Sequence, residues 1–205
     1  MPLSATDRPS LVGEHDHGGP SDFDLDPELR ALQRTDVRPL RAAAVLVPLV
    51  AASDRSGIDV LLTKRTQHVA THKGQIAFPG GKVEPADPDP LTAALRETEE
   101  EVGIDRRFVE PLGYLDTYMT RTGFLVTPVV GLLHAGFEIR PDPREVDIVF
   151  HVPFSYLMDA ANHRIDSAEF NGRSRRFYAI PYGEHYIWGA TAGMLKNLHE
   201  RLCRP

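Results

Sequence analysis

The sequence predicts an α/β chain of the α+β kind, one domain in which short strands build a sheet and a few helices pack against it. Three observations predict it. Short runs rich in Val, Leu, Ile, Phe and Tyr recur with turn residues between them, at residues 41–50, 58–65, 108–118, 124–134 and 146–152. One central helix is marked at both ends, by Asp89 and Pro90 at its start and by Gly103 just past its end. Near the C-terminus an apolar stripe at helical spacing (Ile187, Ala190, Thr191, Met194, Leu195, Leu198) predicts a second helix over 187–202 and reads as core.

Composition bounds the class. A chain of 205 residues with 41% hydrophobic and 25% charged residues suits one globular domain with a full core. The net charge of −6 argues against a general nucleic-acid surface, but not against small anionic substrates, because a bound metal can set the local field. A single cysteine, Cys203, excludes an internal disulfide and fits a reducing compartment. No apolar run is long enough to span a membrane, and the N-terminus lacks a secretory pattern. The cytoplasm is therefore the expected compartment. The expected partner is a small molecule rather than nucleic acid or membrane, and a homodimer is an open arrangement.

Taken in order, residues 1–35 read as an N-terminal arm and residues 36–205 as the domain. Residues 1–25 are rich in Gly, Pro, Asp, Ser and His without periodicity, which predicts a mobile and dispensable stretch. Asp26 and Pro27 can cap a short helix through Gln33. Residues 41–50 (RAAAVLVPLV) read as a buried strand, residues 53–57 as a turn and 58–65 as the partner strand of a hairpin. The next two strands, 108–118 and 124–134, are joined by a turn at 119–123. A proline-broken loop, RPDPRE at 140–145, precedes the strand at 146–152 and a short helix at 153–161. Extended segments then flank a turn at 170–173, the second running over 176–182.

The central helix carries the chemistry. It is predicted over Pro90–Val102, with Leu91, Ala94, Leu95, Thr98 and Val102 on its buried arc. Glu97, Glu100 and Glu101 share a different arc about 100° wide. Glu97 and Glu101 lie side by side, and like charges at that spacing cost roughly 0.2–0.5 kcal/mol. Such a cluster beside the glycine pair Gly80-Gly81 points to a site for a hard divalent cation, Mg²⁺ or Mn²⁺, which takes oxygen ligands.

The stretch from 81 to 104 resembles the Nudix box, G-x5-E-x7-R-E-U-x-E-E-x-G-U with U apolar, the signature of hydrolases of nucleoside diphosphates linked to another group. Gly81, Arg96, Glu97, Glu100, Glu101, Gly103 and Ile104 match. Asp87 stands in place of the first glutamate, eight residues rather than seven separate it from Arg96, and Thr98 replaces an apolar residue. The aspartate with the extra residue is similar to the box of the coenzyme A pyrophosphatase branch. Residues 61–81 (LLTKRTQHVATHKGQIAFPGG) also resemble that branch's second signature, L-L-T-x-R-[SA]-x3-R-x3-G-x3-F-P-G-G. Thr66 and Ala70 depart from it.

The resemblance implies a mixed sheet sandwiched between helices, with the box as loop-helix-loop. It implies metal-dependent hydrolysis of coenzyme A or acyl-coenzyme A to 3′,5′-ADP and a 4′-phosphopantetheine. Glu97 and Glu101 are then the primary metal ligands, with Glu100 sharing the site and the Gly81 carbonyl adding a ligand. Arg96 orients a loop carboxylate, Glu84 or Asp87. Glu145 is a candidate general base or further ligand. Lys64, Arg65, His68, His72 and Lys73, with Gly74 among them, are a cationic cluster for phosphates. Three other readings stay open: a relative cleaving ADP-ribose, NADH or a nucleotide, a non-catalytic ligand sensor, and a structural calcium element. The last would place its ligands in a loop rather than along a helix.

Overall fold

The computed structural model describes residues 20–26, 39–51, 57–67, 73–170 and 172–203. In chain order these form β1 (Arg41–Ala51), β2 (Ile58–Arg65), β3 (Ile76–Ala77), β4 (Gly80–Lys82), α1 (Pro90–Val102), β5 (Val109–Tyr114), β6 (Tyr118–Met119), β7 (Phe124–Leu133), β8 (Val146–Pro153), α2 (Phe154–Leu157), β9 (Arg164–Phe170), β10 (Arg173–Tyr182), β11 (His185–Trp188) and α3 (Ala190–Cys203). A mixed eight-stranded sheet runs β3-β2-β1-β7-β5, with β4 on β1, β6 on β7 and β8 on β2. A three-stranded sheet, β11-β10-β9, sits beside it.

The main sheet is built around β1. It pairs antiparallel with β2, as the predicted hairpin requires, and parallel with β7 from Arg41↔Phe124 to Val50↔Leu133. Successive side chains of a strand point to opposite faces, and here both faces are apolar. Ala44, Leu46 and Val50 join Leu61, Val129 and Leu133 under Ala93, Ala94 and Val102 of α1. Ala43, Val47 and Leu49 join Val60, Leu62 and Val126 under Ala192, Leu195 and Leu198 of α3. A sheet covered on both faces reads as a continuous hydrophobic run rather than an alternating one, which is how residues 43–50 read. The mixed sheet between helices is thus the observed architecture.

Four boundaries differ from the sequence reading. The run 108–118 is two strands, β5 and β6, which pair with β7 separately and are parted at residues 115–117; the register irregularity between Pro111 and Gly113 lies within β5. Ile187 lies in β11, opposite Ile180 of β10, not on the last helix. Its β-rich neighbours His185, Tyr186 and Trp188 form a hairpin, and α3 starts only after Gly189 (φ +63°). The helix at 153–161 is one α turn followed by a 3-10 turn at residues 160–162.

The fourth difference is the arm. Residues 20–26 are docked: Ser21 bridges Met119, and the Asp22 carboxylate accepts the Tyr118 hydroxyl at 2.9 Å and the Arg121 amide at 2.9 Å. The Arg121 guanidinium lies over the Phe23 ring, 5.0 Å from its centroid. Polarity in this stretch supplies specific hydrogen bonds instead of solvation. The rest of the arm, the helix at 26–33 beyond its first residue, and most of the 53–57 turn lie outside the described residues. Among the described residues no helix is long and apolar enough to cross a membrane.

Candidate active site

Helix α1 is set by its ends. The Asp89 carboxylate accepts the Thr92 amide at 2.8 Å, Pro90 opens the first turn, and Gly103 (φ 72°) closes the helix in the left-handed conformation. Thr98, which replaces an apolar box residue, is fully buried and satisfied, because its hydroxyl donates to the Ala94 carbonyl at 2.7 Å.

The buried arc of α1 is rotated from the expected one. Pro90, Ala93, Ala94, Thr98, Glu101 and Val102 are buried, whereas Leu91 and Leu95 are only partly so. On the wheel the centre of burial moves by about 70°, toward the carboxylates. Small Ala93 lets the helix lie close to the sheet, and the leucines flank that contact. Glu101 is therefore 4% exposed, although it carries a charge.

The strand β4 makes this possible. It pairs with β1 through Val45↔Gly80 and Ala44↔Gly81. A Cβ on Gly80 (φ +152°) would lie 2.4 Å from the Ala44 carbonyl oxygen, and one on Gly81 would lie 2.4 Å from the Glu97 carboxylate carbon. At Gly80 the clash is with strand backbone and cannot be relieved, whereas at Gly81 a Cβ would displace the Glu97 carboxylate, so these glycines let backbone, sheet and carboxylate approach each other. The Gly80 amide donates to Glu101 Oε2 at 3.0 Å.

Two arginines divide the acids. Arg96 donates to both oxygens of Asp87 (3.1 and 3.0 Å), to Glu97 (3.0 Å), to Glu100 (3.2 Å) and to the Lys82 carbonyl (3.0 Å). The loop carboxylate oriented by Arg96 is thus Asp87, lowered from the usual carboxylate value by that bond, while Glu84 contributes its amide to Asp87 at 2.8 Å. Arg65 donates to Glu101 at 3.0 Å and to Glu145 at 3.3 Å. Glu145 arrives on the 140–145 loop, where the Arg140 and Asp142 amides donate to the Val102 and Glu101 carbonyls.

Electrostatically the cluster is under-neutralised: Asp87, Glu97, Glu100, Glu101 and Glu145 share the two guanidiniums of Arg65 and Arg96. Burial pushes the Glu101 carboxyl up to about 7, opposed by the Gly80 amide and Arg65 and reinforced by Glu145 and Glu97. Burial also raises Glu97. Among the described residues no three acidic, histidine or cysteine side chains converge as a preformed metal cage. The donor set nevertheless fits a hard divalent ion, since every available donor is a carboxylate or carbonyl oxygen, the acids are in excess, and Glu97 lies against the bare Cα of Gly81.

Of the cationic cluster, Arg65 alone is tied to these carboxylates among the described residues. Lys64 instead pairs with Asp147 at 3.6 Å, and Gly74 packs against the Gln67 side chain. Lys73 is exposed beside it, and His68 and His72 lie outside the described residues. The link from Arg65 to Glu101 and Glu145 is the functional feature that sequence reasoning missed. Parity along β2 carries the signal: Leu61 faces the α1 core, and Arg65 is four residues further along the same strand. Tyr118 lies in the α3-side core, Arg121 binds residues 22–23, and Phe124 lies beneath the Arg41 guanidinium.

A two-faced sheet with a glycine turn and an acidic helix laid across it is the loop-helix-loop architecture implied by the box. The NUDIX domain family matches residues 40–173. The chain belongs to the Nudix family. It is 38% identical over 162 residues to the "Uncharacterized Nudix hydrolase NudL" of Photorhabdus laumondii, covering 79% of this chain and 85% of that one. It is 39% identical over 158 residues to the protein of the same description from Escherichia coli K12, covering 77% and 81%. In fold it is similar to a MutT/nudix family protein from Enterococcus faecalis, with TM-score 0.51, 18% identity and coverage of 86% of this chain and 69% of that one.

Proposed function

We propose that the protein is a metal-dependent Nudix hydrolase that cleaves the diphosphate bond of coenzyme A or an acyl-coenzyme A, releasing 3′,5′-ADP and the corresponding 4′-phosphopantetheine. The observation that carries the substrate is the likeness of residues 61–81 to the second signature of the coenzyme A branch, directly abutting the box. The relatives' description as Nudix hydrolases supports hydrolysis of a nucleoside diphosphate derivative more generally.

Glu97 and Glu101, with Glu100 and the Gly81 carbonyl, are the groups that would hold Mg²⁺ or Mn²⁺. When bound, such an ion supplies charge neutralisation at the diphosphate and acidification of a water. The protein's own residues do the rest. Asp87 and Arg96 fix the orientation of Glu97 and Glu100. Glu145 stands at the rim, its side chain 48% exposed, where it can accept a proton from an attacking water. Lys73, the Gly74 backbone, Lys64 and His72 remain the candidates for phosphate contacts.

A second reading, cleavage of ADP-ribose or NADH, is favoured by one observation: Ala70 removes a positive charge from the signature. Incubation with coenzyme A, ADP-ribose, NADH and nucleoside triphosphates, each with Mg²⁺ or Mn²⁺, with mass-spectrometric product identification, separates the two. Coenzyme A should yield 3′,5′-ADP. Turnover of ADP-ribose or NADH with none of coenzyme A would overturn the substrate assignment.

A further inference from the structure

The geometry points to Arg65 as a positioning residue that clamps Glu145 beside Glu101, rather than as a direct contact to substrate phosphate. This inference rests on the hydrolase reading above and specifies how its loop acid is held in place.

Both ends of the Arg65 fork are engaged inside the protein, one N–H from each. Nη1 donates to Glu101 Oε1 at 3.0 Å and Nη2 to Glu145 Oε2 at 3.3 Å. The side chain is 24% exposed, so it lies between the two acids rather than at the open rim. Its backbone is equally committed: the Arg65 amide donates to the Gln75 carbonyl, and the neighbouring Thr66 amide donates to the Glu145 carbonyl at 2.9 Å. The Thr66 hydroxyl donates to the Arg144 carbonyl at 3.2 Å. The end of β2, the 140–145 loop and the last turn of α1 therefore meet at one guanidinium.

Electrostatics gives the clamp its purpose. Glu145 and Glu101 repel each other, and Glu97 adds to the repulsion. Glu101 is anchored by burial and by the Gly80 amide, but the Glu145 side chain is half-exposed and without Arg65 would rotate into water. A guanidinium can bridge two carboxylates through a rigid planar fork, whereas an ammonium offers a point charge. Arg65 holds Glu145 against that repulsion, on the side of Glu101 where the box carboxylates converge.

A double-mutant cycle in the full-length protein tests this. Arg65→Gln, Glu145→Gln and the double variant are assayed on the compound that wild type cleaves. A clamp predicts that Arg65→Gln lowers kcat about as much as Glu145→Gln does, with KM within about threefold, and that the double variant is little worse than either single one. Arg65→Lys should recover only part of the loss. A phosphate contact predicts a loss carried by KM and multiplied in the double variant; either result overturns the clamp. If wild type cleaves none of the compounds offered, the hydrolase reading fails by itself. The same cycle read as melting temperature in excess chelator then decides the clamp: shifts that add overturn it, and a double shift smaller than their sum supports it.

Discussion

Glu99 lies between Glu97 and Glu101 in sequence but is paired with Arg106 at 3.0 Å on the far side of α1. A solvated acidic face would make these glutamates equally dispensable, whereas a site makes them unequal. Glu97→Gln and Glu101→Gln keep size and helix propensity but remove a donor charge, and losing one electrostatic stabiliser typically costs about 10²–10³ in rate. Glu99→Gln should cost less than about threefold, as exposed substitutions do. Turnover at saturating metal for the three variants checks this, and equal losses at all three positions would refute the site. Glu101 gives a second prediction, for the metal-free protein. Its folded pKa, about 7, lies above the ordinary value of 4.5. Its contribution to stability is then fully present below about pH 4.5 and is lost as pH rises through about 7. The gap corresponds to about 3 kcal/mol. Denaturant melts in excess chelator should show wild type losing stability over that window relative to Glu101→Gln, and parallel profiles would rule the assignment out.

At the scale of elements, the segment at residues 20–26 is docked on the domain, which predicts that it contributes to stability. Asp22 accepts from Tyr118 and Arg121, and Tyr118 is 1% exposed. Asp22→Ala leaves the buried phenol without its acceptor, a loss of about 1–3 kcal/mol. Deleting residues 1–26 should lower the melting temperature by several degrees, while deleting residues 1–19 tests the remainder separately. An unchanged melting temperature on removing residues 1–26 would show that the docking contributes nothing. Helix α3 makes a contrasting case. Gly193 sits inside it, where alanine would ordinarily stabilise by about 0.5–1 kcal/mol. A Cβ there would lie 2.5 Å from the Tyr118 ring. Overpacking of that kind costs about 1–3 kcal/mol, so Gly193→Ala should be destabilising, and a raised melting temperature would contradict the packing described.

Across the whole molecule, the sheet keeps two cores apart, and each serves a different task. The α1-side core presses the acidic helix onto β4, while the α3-side core joins the main sheet to the β9–β11 sheet. Leu46 and Leu61 are fully buried beneath α1. Leu46→Ala should cost about 2–5 kcal/mol of stability. Because Glu101 is buried by that same docking, the surviving folded fraction should also bind Mn²⁺ more weakly. Calorimetric titration below the melting transition measures this, and unchanged affinity would show that α1 is held by its caps and Arg96 alone.

By itself the sequence determined whatever depends on neighbours along the chain. Asp89, Pro90 and Gly103 marked both ends of α1, the β-rich runs located β1, β2, β7 and β8, and the box spacing brought Glu97, Glu100 and Glu101 onto one helical arc. Local propensity and periodicity are enough for that. Tertiary structure alone decided how far the helix is rolled, which buried Glu101 and left Leu91 and Leu95 at the flank. It decided that Arg96 takes Asp87 instead of Glu84, that Arg65 reaches Glu101 across 36 residues and Glu145 across 80, and that residues 20–26 fold back onto Tyr118. It also split the run 108–118 and moved Ile187 into a hairpin, since where a strand breaks and which residue it faces are set by the opposing strand. These outcomes turn on contacts between distant segments, and their energies depend on burial and register that no stretch of the chain carries alone.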